Sequence, residues 1–126
     1  MVQAQPVFPP PAGGIFYHYT SRATSQEISI SGRILPGRDG LVYLTDVLYR
    51  IGWQATDRLA LPEKNAEVTI PVPLSGLEGV LYLGIVPEWV ASDGRTRRRG
   101  GGHQWVVRHA ILLQVYPWSW IPLEVP

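Results

Sequence analysis

The chain of 126 residues has no cysteine, and it carries a single methionine and a single lysine. Without cysteine there can be no disulfide, no thiolate metal site and no thiol nucleophile, and the redox compartment is left open. The scarcity of lysine makes basic charge a matter of arginine, ten residues of it. Acidic residues balance nearly all of that charge, for a formal net of +1. The whole chain is therefore not an electrostatic binder of nucleic acid. No apolar stretch approaches the roughly 20 residues that cross a bilayer. The start of the chain lacks the basic residues and apolar run of a signal peptide. Of the three histidines, His103 and His109 have no partner at metal-ligand spacing, so no metal is expected.

What is present describes a globular domain. Hydrophobic residues make up 45% and charged residues 17%, enough apolar content to bury a core in one domain of this length. Thirteen glycines and twelve prolines predict many turns and short strands. Five tryptophans and six tyrosines supply rigid surfaces that are apolar on their faces and polar at one end.

Residues 1–14 are rich in Pro, Ala and Gly, with the run Pro9-Pro10-Pro11. They read as a semi-rigid linker or a frayed terminus, which leaves 15–126 as the domain. A first strand over 15–20 leads to Thr20 and Ser21, good helix N-caps, and the helix ends at Ser31-Gly32. Turns at Pro36-Gly37 and Asp39-Gly40 precede a second strand over 41–45. Asp46 is expected to cap a longer helix in which Val47, Leu48, Ile51, Ala55 and Leu59 follow helical spacing up to Pro62. Alternation from Glu67 to Leu74 predicts a strand, and Pro71 and Pro73 argue for an edge strand or a strand leaving the sheet. Val80–Val86 is almost continuously apolar and is expected to be buried on both faces. Pro87-Glu88-Trp89-Val90 is expected to form a helical turn, and 93–102 an Arg- and Gly-rich loop. Strands follow over 104–109 and 111–115, then the aromatic tail with Trp118 and Trp120. The sum is an α+β domain with two early helices and five or six strands.

The informative pair is Phe16-Tyr17-His18-Tyr19-Thr20 with Leu41-Val42-Tyr43-Leu44-Thr45-Asp46. A His on one strand and a Tyr on another can line one cleft and suit a flat heteroaromatic ring with its ribose. Together with Ile28-Ser29-Ile30-Ser31-Gly32-Arg33-Ile34 between them, these segments resemble the ADP-ribosyltransferase fold. The likeness is closest to the His-Tyr-Asp-signature domains of bacterial polymorphic toxins, and it is strongest over the first third of the chain.

The resemblance implies a split, twisted β-sandwich that holds NAD⁺ between two sheets. It implies that His18 bonds the cofactor, with Tyr19 helping to clamp the nicotinamide amide and Thr20 beside them. Tyr43 would stack on the nicotinamide ring. The third signature position is normally acidic; here Gln104 is the choice, with Glu88 and Asp93 as rivals. Gln can bond a ribose hydroxyl, but it cannot act as a base or stabilise a cation as a carboxylate does. Arg22, at a helix start, is placed to meet the pyrophosphate, where the helix terminus itself attracts anions.

The expected activity is transfer of ADP-ribose from NAD⁺ to a macromolecule, protein or RNA, by a toxin or effector domain. Such a domain would work in the cytoplasm of its own or a target cell and be restrained by a cognate immunity protein. An NAD⁺ glycohydrolase shares the cleft. A binding module built on the aromatic tail and the arginines is the non-enzymatic alternative. Arg95, Arg97, Arg98 and Arg99 read either as a solvated loop or as a target-recognition loop whose flanking glycines let it move over the cleft.

Overall fold

A computed structural model describes residues 14–61, 65–113 and 121–123. The Pro-rich segment up to residue 13, Trp118 and Trp120 lie outside the described residues. The domain is α+β, with two helices and a mostly antiparallel sheet.

Strand β1 (Ile15–Thr20) feeds helix α1 (Arg22–Ser31). The boundary is set by Ser21, whose hydroxyl accepts from the Thr24 amide at 3.0 Å. Such a cap satisfies one of the donors a helix start leaves free. The far end closes at Gly32, left-handed at φ 71°, whose amide bonds the Ile28 carbonyl at 2.7 Å. Both ends lie where the residue types placed them. Next come β2 (Arg33–Ile34) and β3 (Val42–Thr45).

The second helix departs from expectation. Helix α2 (Gly52–Leu59) begins six residues after Asp46, and its N-cap, Ile51, makes no side-chain capping bond. The cause is tertiary. The Tyr19 hydroxyl donates to the Val47 carbonyl at 2.8 Å and accepts from the Tyr49 amide, which takes backbone groups a helix would have used. Asp46 therefore caps nothing, and its Oδ1 is buried without a hydrogen-bond partner among the described residues.

Strand β4 (Val68–Pro73) is followed by a short 3₁₀ turn and β5 (Leu81–Ile85). The six-stranded sheet runs β10-β4-β1-β3-β8-β5, with β8 spanning His103–Val107 and β10 Ile121–Pro122. Strand β4 is thus interior in order, not an edge. Among the described residues β10 pairs with it at Thr69 and Val68. The missing N–H groups of Pro71 and Pro73 fall past the end of that ladder among the described residues. The real edge is β5. Its Leu81, Leu83 and Ile85 are exposed, so the expectation of burial on both faces is wrong: apolar content alone does not say which strand is last in a sheet.

Trp89–Val90 (β6) pairs with Arg97–Arg98 (β7) as a short hairpin in place of the expected helical turn. Its turn is held by the Asp93 carboxylate, which accepts from the Arg95 and Thr96 amides. A second small ladder joins β2 to β9 (Ile111–Leu112) and packs Ile34 beside Ile111.

The main core covers one face of the sheet: Phe16, Ile70, Val72, Leu44 and Trp105, closed by Ile28 of α1. Phe16 and Trp105 meet at 5.1 Å between ring centroids. Burying a side chain of that kind contributes roughly 1.5–3 kcal/mol. A smaller cluster of Tyr19, Ala55, Ala66 and Leu123 forms the other side. One seam in the sheet is incomplete. Strand β1 pairs with β4 at six positions but with β3 at one, Tyr17 opposite Thr45. Beyond that pair β1 and β3 part.

Candidate functional site

The gap between β1 and β3 opens a cleft of about 480 Å³, within the ordinary range for small-molecule sites. Strand β1 contributes Tyr17, His18, Tyr19 and Thr20 to its wall. Tyr43 and Thr45 come from β3, Gln104 from β8, and Thr24 from α1. Side chains alternate along a strand, so Phe16 and His18 share the main-core face while Tyr17 and Tyr19 belong to the other. Tyr43, two residues from Thr45, shares the face of Tyr17 by register. The cleft draws on both faces because it lies where the sheet comes apart. His18, Tyr43 and Gln104 are thereby brought to one cavity from three separate strands.

His18 spans the parting. Its Nδ1 lies 2.9 Å from the Tyr43 carbonyl, an acceptor, so Nδ1 carries the proton and Nε2 of the neutral ring is left to accept. Burial pushes its pKa below the ordinary imidazole value, and the carbonyl only partly opposes this. The ring is therefore neutral at pH 7.

Tyr43 is 41% exposed, and its hydroxyl donates to Asp39 Oδ2 at 2.6 Å. That bond, with lesser help from burial, raises the phenol pKa. The same bond, then one from the Leu41 amide, holds the Asp39 carboxyl below the usual carboxylate range. Asp39 lines the cleft and was missed as a site residue, since Asp39-Gly40 reads as turn chemistry. The available signal was a carboxylate four residues before the strand tyrosine, across a tight turn.

Gln104 sits opposite Thr45. The Thr45 hydroxyl donates to the His103 carbonyl at 2.7 Å, which fixes β3 to β8 at this level. The Gln104 side chain makes no hydrogen bond among the described residues. Asn65, Leu59 and Leu61 complete the wall.

Arg22 does not line the cleft. Its amide at the head of α1 is bonded by the Glu67 carboxylate at 3.0 Å, so an acid already occupies the terminus where a phosphate was expected. The rivals for the acidic position lie away from the cavity as well. Glu88 pairs with Arg97 at 3.1 Å, and Asp93 holds its own turn.

The C-terminal end of the arginine hairpin is anchored to α2. Arg99 donates through its amide and Nε to Asp57 of α2, at 2.8 and 2.7 Å, while the Gly100 and Gly102 amides bond the Asp57 and Arg58 carbonyls. Of the flanking glycines, Gly100 and Gly102 serve close approach. A Cβ on Gly100 would run into the Val86 and Pro87 carbonyl oxygens, and one on Gly102 would lie 2.8 Å from Leu59 Cδ2. Gly100 also has a positive φ of 73°, which favours glycine. Arg95 is exposed, while Arg98 Nε is buried with no partner among the described residues.

No group of three or more metal-ligating side chains occurs among the described residues, and no helix among them is long and apolar enough to cross a membrane. The chain matches no family model, no curated protein and no solved structure. The cleft can provide an aromatic wall, a neutral imidazole, a carboxylate, two amides and hydroxyls, a set suited to binding and orienting a polar ring system.

Proposed function

We propose that this domain is an NAD⁺-dependent mono-ADP-ribosyltransferase of the split-sandwich type, a toxin or effector that modifies a macromolecule and releases nicotinamide. The observation that carries the reading is the meeting of His18, Tyr43 and Gln104 in one cleft at the parting of β1 and β3. The nicotinamide ring lies against Tyr43, its amide within reach of His18 and the backbone beside Tyr19. Gln104 and Thr20 bond the ribose hydroxyls. A stacked aromatic pair adds about 0.5–1.5 kcal/mol beyond burial.

The bond from C1′ of the ribose to the nicotinamide nitrogen breaks, and its electron pair stays on that nitrogen, which becomes neutral. A lone pair of the acceptor forms the new bond to C1′, and the acceptor loses a proton to solvent. The protein's part is orientation and electrostatic support, for which neither a thiol nor a metal is required. With water as acceptor the same site is an NAD⁺ glycohydrolase.

The cleft fits the nicotinamide half better than the pyrophosphate, because no cationic side chain lines it among the described residues. The pyrophosphate is accordingly assigned to the mouth, where Arg38 adjoins Asp39 in sequence. Arg95 and Arg97 on the anchored hairpin are the residues proposed to meet an anionic target or a cognate inhibitor, with Arg99 and Arg98 holding the hairpin's shape.

The test is NAD⁺ consumption by the wild type beside His18→Ala, Tyr43→Ala and Gln104→Ala, with labelled ADP-ribose tracked into macromolecule or into free product. Loss of about 100-fold in the first two, the scale of a positioning defect, supports the reading. A wild-type protein that neither binds nor consumes NAD⁺ refutes it. In that case the exposed Trp89 and Val90, paired with Arg98 and Arg97, favour the binding module, and partner capture would depend on the hairpin instead.

A further inference from the structure

The charge inventory of the cleft is short. Asp39 is the one acidic or basic side chain among its described lining residues. His18 is held neutral by burial, and the remaining lining groups are hydroxyl, amide, aliphatic or aromatic. Asp39 is also coupled to the aromatic wall. Its Oδ2 accepts the Tyr43 hydroxyl proton at 2.6 Å, while Oδ1 is fixed by the Leu41 amide at 3.0 Å. A phenol that donates to a carboxylate has a more electron-rich ring, and an electron-rich face attracts a cation placed over it. The carboxylate adds its own field from the exposed rim of the cleft, held against the ring by these two bonds.

From this arrangement we propose that the Asp39–Tyr43 pair makes the cleft selective for a positively charged planar ring. Neutral rings of the same shape are held less tightly. This rests on the reading of the cleft as a nicotinamide site and sharpens it. The nicotinamide of NAD⁺ is a pyridinium cation, whereas the dihydropyridine of NADH and free nicotinamide are neutral. Asp39 thereby favours the oxidised dinucleotide as substrate and eases departure of the product, whose charge vanishes when the glycosidic electron pair returns to the ring nitrogen. It supplies by another route the negative charge that Gln104 lacks. Asp39 acts from the turn before β3, next to the ring rather than at the far strand.

The experiment uses two small probes, 1-methylnicotinamide (a cation) and nicotinamide (neutral), titrated into the full chain and followed by tyrosine fluorescence or calorimetry. Wild type is expected to hold the cation about five- to tenfold more tightly. Asp39→Asn keeps the Oδ1 acceptor for Leu41 but removes the charge, and is expected to erase the preference. Tyr43→Phe keeps the ring and removes the bond, and is expected to reduce the preference without abolishing ring binding. Equal affinity of wild type for the two probes, binding of neither, or an undiminished preference in Asp39→Asn would each overturn the proposal.

Parallel titrations with NAD⁺ and NADH separate it from the enzymatic reading. NAD⁺ turnover with no change in NAD⁺ over NADH preference in Asp39→Asn sinks the role of Asp39 alone. A cation preference that Asp39→Asn erases, in a protein that never consumes NAD⁺, sinks the transferase alone.

Discussion

Strand β1 has two neighbours and treats them differently. Against β4 it is zipped along its whole length, Ile15 opposite Pro73 through Thr20 opposite Val68. Against β3 it touches at Tyr17 and Thr45 and then diverges. The first seam joins the buried Phe16, Ile70 and Val72, while the second opens into a cleft lined by rings and polar groups. The lesson is that one strand can close a core on one edge and border an open cleft on the other. A complete ladder satisfies backbone groups and buries apolar surface, whereas an interrupted one gives up part of that stabilisation to leave room for a ligand.

The comparison breaks if truncation costs the same on both seams. Ile70→Ala, at the fully buried register partner of His18, is expected to lower unfolding free energy by about 2–5 kcal/mol. Tyr43→Ala, on the open seam, is expected to change stability by less than about 1 kcal/mol while lowering the proposed NAD⁺ consumption about 100-fold. Urea denaturation of the two variants side by side reads both numbers.

A third junction, hairpin to helix α2, extends the contrast. Gly100→Ala is expected to cost about 1–3 kcal/mol, from positive φ and the collision with the Val86 and Pro87 carbonyls. Amide exchange at Arg99 and Gly102 would accelerate. An unchanged exchange pattern would mean that the hairpin is not held where the glycines indicate.

The open seam also carries a pH signature. The folded pKa of His18 lies below its ordinary 6.5 because burial disfavours the charged ring. Below pH 6.5 the unfolded chain takes up a proton that the folded chain refuses, so this contribution to stability is present above that pH. It is lost as pH falls through the depressed folded value. Urea midpoints that decline from pH 7 toward 5 in wild type, less steeply in His18→Gln, would locate the effect at the seam.

The smallest expected effect has the opposite sign. His109 faces two carbonyls, Ala110 at 2.9 Å from Nδ1 and Glu78 at 2.8 Å from Nε2. Two acceptors require two N–H groups, and the folded pKa is raised by those bonds. Its contribution is complete below 6.5 and fades as pH rises through the raised value. His109→Gln should remove that slope and leave the one from His18, as paired pH series of urea midpoints would show.

Much of the first third was legible because its signals are local. Ser21 caps where a helix can start, Gly32 supplies the left-handed residue that ends it, and the Tyr-His-Tyr and Val-Tyr-Leu runs have the period of strands. The failures came where a distant group intervened. Helical spacing from Val47 onward was real as a pattern, yet the Tyr19 hydroxyl claimed those backbone groups. The prolines of β4 were read as an edge or a departure from the sheet, although β4 lies between β10 and β1. Asp39 was read as a turn former, and its second role depends on where the Tyr43 ring lies.

By itself, then, the order of residues determined an α+β chain with two early helices and the positions of its first strands, while the set His18, Tyr43 and Gln104 came from the resemblance. Whether those three meet was decided by the tertiary structure, through the single register pair that joins β1 to β3. The same holds for the exposed edge at β5, the anchored arginine hairpin and the placing of a lone carboxylate against the aromatic wall. The physical reason is range. Capping, turn formation and strand periodicity act within a few residues, whereas strand order, register and the partner of a hydroxyl are settled by groups far apart in the chain that compete for the same bonds and the same buried space.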